Sequence, residues 1–153
     1  MAKPREIEGI ECGTPFREAA VRAVEVRADE LFSFAGGVLD TTDIERVHDM
    51  RVATRRLRAA MEVFAPCFPR KRHRKALRDV KALADALGAR RDPDVHLEAL
   101  ASYARELPGT DLSGIEAKLA ARQAEGNAEL KEALADVDRL RKRLKRLTEA
   151  ARA

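Results

Sequence analysis

Val47-His48-Asp49-Met50-Arg51-Val52-Ala53-Thr54-Arg55-Arg56-Leu57-Arg58 decides how this chain is read. On an α-helix, stepping about 100° per residue, His48, Arg51, Arg55 and Arg58 recur at i, i+3, i+7 and i+10. They share roughly an 80° sector of the helix surface. Met50, Ala53, Leu57, Ala60, Met61 and Phe64 gather on a sector close to opposite. One helix therefore turns an apolar face to a core and a row of three guanidiniums and an imidazole to something else. Like charges at helical spacing cost a few tenths of a kcal/mol per pair, and a polyanionic partner is the simplest compensation.

Working outward, the same design recurs on the next helix. Lys71, Arg74, Arg78 and Lys81 repeat the i, i+3, i+7, i+10 step beside an apolar row of Leu77, Val80, Ala84 and Leu87. Pro66 and Pro69 bracket the short link between the two helices, which makes them antiparallel neighbours. If both apolar rows face one core, the two basic rows flank a common groove. The charge balance agrees: residues 46–91 hold 14 Lys/Arg against 4 Asp/Glu, in a chain whose net charge is only +4. Positive charge concentrated in the middle third marks an anion-binding surface.

The 153 residues suit one domain with a real core. Charged residues make up 37% and aromatics 4%, and the apolar content is mostly Ala, Leu and Val, a mixture that favours helices. The expected architecture is all-α: an antiparallel bundle of about four helices, then a long C-terminal helix. Residues 1–13 read as a polar lead-in. Residues 14–107 read as the basic bundle, and 108–153 as a long charged segment that packs on the bundle or on a partner subunit. Thr14-Pro15 caps the first helix, and Phe16, Ala20, Ala23, Val24, Leu31, Phe34 and Val38 form its apolar stripe. Thr42 and Glu45 form a capping box for the second helix, which stops near Phe64. The third runs from about Arg70 to Leu87 with Gly88 as its stop, and Ala89-Arg90-Arg91 forms a basic loop. Asp92-Pro93 opens the fourth, which reaches about Glu106 before Pro108-Gly109 breaks the chain. Ser113 caps a fifth segment, with an interruption at Gly126-Asn127. There Leu130, Val137, Leu140, Leu144 and Leu147 make a coiled-coil-like seam, and 139–146 carries six basic residues in eight positions.

The second and third helices together carry a resemblance. Their runs VHDMRVATRRLRAAMEVF and LRDVKALADALGARRDPDV resemble the signature of the CHAD family, the conserved-histidine α-helical domains, from about Thr14 to Leu107. The resemblance implies a helical bundle that binds inorganic polyphosphate, in some members on polyphosphate granules. By matching position, His48 resembles the family's named histidine. Arg51, Arg55, Arg56 and Arg58 match its basic helix. Lys71, Arg74, Lys75, Arg78, Lys81, Arg90 and Arg91 stand as the binding positions on the third helix and the basic loop. A typical member contains two related helical halves, and this chain has one half and then a long charged segment. Two copies pairing through the C-terminal leucine seam as a homodimer would bring two sets of basic rows together.

Blander readings compete with this one. The arginine row could be solvated, or paired with Glu25, Asp29 or Glu30 of the first helix. Arg56, off the main row, could bridge to Asp49 or to another helix. His73 and His96 lack partners at metal-ligand spacing, so no metal and no cofactor is expected. His48 and Asp49 point about 100° apart on a helix, no glycine-rich phosphate loop appears, and a binding module is expected rather than an enzyme. Nucleic acid is the alternative ligand, but with no Trp and one Tyr the chain serves base stacking poorly. A purely structural assembly module is the third reading. Cys12 and Cys67 make no disulfide framework, the N-terminus does not read as a signal peptide, and no apolar run reaches membrane-spanning length. The cytosol is the expected compartment.

Overall fold

The computed structural model describes residues 3–153, so Met1 and Ala2 of the polar lead-in lie outside the described residues. Five helices follow in order: α1 (Phe16–Ser33), α2 (Ile44–Val63), α3 (Arg70–Glu106), α4 (Ser113–Ala135) and α5 (Val137–Arg152). A 3-10 turn, Ala65–Cys67, joins α2 to α3. No strand occurs among the described residues, and none of their helices is long and apolar enough to cross a membrane.

The first part of α3 packs between α2 and α5, and α1 closes the ring against both. Each helix turns one stripe inward. Leu31 of α1, Val47, Met50, Leu57 and Met61 of α2, Val80 and Leu87 of α3, and Leu144 and Leu147 of α5 are buried, with Leu130 of α4 completing the cluster. Each such side chain contributes about 1.5–3 kcal/mol on burial. His73 joins this core as a polar pin. Its Nε2 lies 2.8 Å from the Met61 carbonyl, which can only accept, so Nε2 carries the proton. Its ring stacks on Phe68. The α2–α3 corner is thereby fixed at one end of both basic rows.

Several expected boundaries move. α3 is one helix of 37 residues running straight through Gly88 and Pro93, so Ala89-Arg90-Arg91 is helix rather than loop and Asp92 caps nothing. Proline leaves the carbonyl four residues before it without an intrahelical partner. That carbonyl is Ala89 O, and it faces Gly126 of α4, where a Cβ would stand only 2.6 Å away. The released group sits at a close helix crossing that a side chain at position 126 would block. The C-terminal segment breaks at Asp136, between α4 and α5, and not at Gly126-Asn127. The expected caps are also absent. Thr14 Oγ1 accepts from the Glu11 N–H at 2.9 Å, and Thr42 bonds Asp40, while Pro15 and Asp43 occupy the N-cap positions without side-chain caps.

The leucine seam is spent inside the chain. Leu130, Leu140, Leu144 and Leu147 are all buried against the bundle, and Val137 packs beside them. Within one chain the seam is therefore covered by its own bundle, the first of the two packings expected for this segment. The second half of α3 and the first half of α4 instead project as a two-helix hairpin past the ends of α1 and α2. Val95, Tyr103, Leu107 and Ile115 are exposed on it. Gly109, with φ +93°, turns the chain at its tip.

Candidate anion-binding surface

The turn and the His73 pin set α2 and α3 antiparallel, with their cationic rows outward. Arg51, Arg55 and Arg58 line an open groove of about 400 Å³ between the two helices, together with Glu62, Ala84 and Asp85. Lys71, Arg74, Lys75 and Arg78 are exposed on α3, while His48 is half-buried at the start of the α2 row. Among the described residues, Arg51, Arg55, Lys71, Arg74, Lys75 and Arg78 form no ion pair. The row is thus not tied to the acidic first helix.

Glu62 sits where the two rows meet. Arg58 Nε lies 3.1 Å and Lys81 Nζ 3.2 Å from the same Glu62 oxygen. The hydrogen bond from Arg58, then that from Lys81, holds the Glu62 carboxyl below the usual carboxylate range. Two members of the rows are therefore already engaged by an internal anion.

Three expected contacts lie elsewhere. Arg56, one residue and about 100° round from Arg55, turns to α1. Its Nη1 donates to Glu30 Oε1 at 2.6 Å, and Arg27 donates to the other Glu30 oxygen at 2.6 Å. Glu30 is buried, so this bridge holds α1 to α2 and takes Arg56 out of the ligand surface. Arg90 is 0% exposed. It pairs with Asp94, which in turn accepts from Gln123 Nε2 at 2.7 Å, and its Nε donates to Asn127 Oδ1 at 3.1 Å. Arg90 therefore joins α3 to α4 and cannot meet a polyanion. Arg91 is mostly buried, 3.9 Å from both Glu45 and Glu98, and stands at the edge of the surface at best.

A second group belongs to the 139–146 basic run, which the sequence offers only as an extension of the anion surface or a solvated helix face. The buried stripe of α5 turns Arg139, Lys142, Arg143 and Arg146 onto α3, where they line an open cleft of about 790 Å³ with Arg72, Lys75, Glu149 and Ala150. Their i, i+3, i+4, i+7 spacing was the available signal; which helix they would face was not. No group of three or more metal-ligating side chains occurs among the described residues.

Compared with known proteins, the chain matches the CHAD domain family over residues 22–153. No curated protein and no solved structure gives a match.

Proposed function

The chain belongs to the CHAD domain family, and from that premise we propose that it is a binding module for inorganic polyphosphate. The observation that carries the reading is the pair of outward cationic rows on adjacent α2 and α3, with Arg51 and Arg55 at the groove between them and in no ion pair among the described residues. Guanidinium forks chelate successive phosphate oxygens, and the lysines add compact charge. His48 donates a further hydrogen bond at the end of the row. The ligand set is His48, Arg51, Arg55, Arg58, Lys71, Arg74, Lys75, Arg78 and Lys81. The reading is of binding without turnover, in the cytoplasm and at polyphosphate granules.

Competition decides between ligands. Long-chain polyphosphate should bind much more tightly than single-stranded or duplex DNA at equal phosphate and salt, and should weaken steeply as salt rises. Equal affinity for DNA would sink the reading in favour of a general nucleic-acid binder. Arg51→Ala with Arg55→Ala should weaken polyphosphate binding strongly while shifting stability by no more than about 0.5 kcal/mol.

For the expected homodimer we propose a face other than the leucine seam. We assign pairing of two copies to the projecting hairpin, which stands without the cover that α2 and α5 give the first part of α3. Light scattering over a dilution series tests it: Tyr103→Glu with Ile115→Glu should reduce a two-chain particle to one chain. One-chain mass for the unsubstituted protein at every concentration would remove the dimer.

A further inference from the structure

Among the concavities lined by the described residues, the α2/α3 groove is not the most cationic. That is the cleft between α3 and α5, where Glu149 is the only carboxylate among the lining residues, against two in the α2/α3 groove. Two of its six cations are neutralised locally, Arg143 by Asp79 and Arg139 by Asp136. Arg72, Lys75, Lys142 and Arg146 have no ion pair among the described residues. α5 cannot turn away to relieve the repulsion, because Leu140, Leu144, Leu147 and Ala151 fix its other side in the core.

The two concavities are also joined. Stepping about 100° per residue, Lys81, Arg74, Arg78, Lys71, Lys75 and Arg72 succeed one another around α3, with Asp79, the partner of Arg143, between the last two. The structure pins both ends of that arc. Lys81 reaches Glu62 of α2, and Lys75 and Arg72 line the cleft with α5. A cationic band therefore crosses the crest of α3 from one concavity to the other.

Building on the polyphosphate reading, we propose that the α3/α5 cleft is a second phosphate-binding site and that one long polyphosphate chain occupies both sites by crossing the crest of α3. The crossing is about as wide as a helix with its side chains, 10–12 Å. A short phosphate chain fills one site and stops. A long one makes its second contact intramolecularly, at high effective concentration, and gains avidity without any new kind of contact. The protein selects for polymer length through the spacing of two sites.

The test uses the full chain, long-chain polyphosphate and tripolyphosphate, with Lys142→Ala/Arg146→Ala compared against Arg51→Ala/Arg55→Ala. Lys142→Ala/Arg146→Ala should weaken long-chain binding at least tenfold and lower its salt slope by about two, one for each phosphate contact removed. Tripolyphosphate affinity should change by no more than about twofold, the statistical loss of one of two sites. The charge-conserving Lys142→Arg/Arg146→Lys should restore long-chain binding, which separates loss of charge from loss of fold. Unchanged long-chain affinity and slope in Lys142→Ala/Arg146→Ala, with loss confined to Arg51→Ala/Arg55→Ala, overturns the second site and leaves the polyphosphate reading standing. An equal factor lost for both ligands overturns the crossing. No binding of long-chain polyphosphate by the unsubstituted protein removes both the reading and the inference built on it.

Discussion

Arg78 and Arg90 stand on the same helix and do opposite things. Arg78 is exposed on the crest of α3, among cations, with no ion pair among the described residues. Arg90 is wholly enclosed where α3 crosses α4, held by Asp94 and Asn127, and its Nη2 and the Asp94 Oδ2 have no hydrogen-bond partner among the described residues. The crest arginine costs little to remove and is available to a ligand. The crossing arginine serves only the fold, and a buried ion pair left partly unsatisfied fixes position more than it adds stability. What separates them is the neighbouring helix: solvent in one case, Gly126, Gln123 and Asn127 of α4 in the other.

The sharpest way to break this contrast is to remove one partner at each place. Asp94→Ala leaves Arg90 buried without its counter-charge and should cost about 3–5 kcal/mol in denaturant unfolding. Arg78→Ala should cost no more than about 0.5 kcal/mol. Adding Arg90→Met to Asp94→Ala should return part of the loss, since the uncompensated charge goes with it. A loss below about 1 kcal/mol for Asp94→Ala would mean that water reaches the crossing and that the two arginines differ less than their burial suggests. Gly126→Ala probes the same crossing by volume. Its Cβ would meet the Ala89 carbonyl at 2.6 Å, a backbone contact that no side-chain rotation relieves. The helices must part, at about 1–3 kcal/mol by the usual cost of overpacking.

The smallest effect belongs to the groove. Glu62 is held below the usual carboxylate range by Arg58 and then Lys81. A carboxyl lowered on folding stabilises the fold above its ordinary value, and that contribution disappears as pH falls through the lowered one. Below the usual carboxylate range, Glu62 therefore takes a proton and releases both cations. Glu62→Gln should do the same at neutral pH. Polyphosphate binding should tighten a few-fold, the factor that about 0.2–1 kcal/mol of exposed charge interaction represents. The affinity should also lose its rise in acid. Unchanged affinity across that range would show that Arg58 and Lys81 take no part.

Legibility in the sequence divides along the same line. α2, its apolar stripe and the outward rows were readable, because a period of 3.6 with charge on one side leaves few alternatives. Gly88, Arg90-Arg91 and Asp92-Pro93 looked like a stop, a loop and a start, since each is locally the right residue for that role. The helix runs on through all of them, and α4 packs against that stretch with Gly126 at the freed carbonyl and two amides on the Arg90–Asp94 pair. Arg90 and Asp94 stand at i, i+4, a spacing visible in the sequence. Their burial depends on Gln123 and Asn127, distant in the chain. Likewise Arg55 and Arg56 differ by one step of rotation, and only the position of Glu30 on α1 shows which of them turns inward.

Ring closure has a consequence for how the chain is made. α5 seals the bundle by lying against α1, and Arg152 clasps Glu25 at 2.6 and 2.7 Å across a sequence separation of 127. Domains are synthesised from the N-terminus at about 5–20 residues per second, and long-range contacts come late because their loops are costly to close. Until residues 140–151 have emerged, Val24 and Ala28 of α1 lack their α5 neighbours and stay wet. The nascent protein therefore passes through a stage that is helical, nearly neutral in net charge and open along one greasy seam. Its most vulnerable moment on the ribosome falls just before the wall that also lines the α3/α5 cleft arrives.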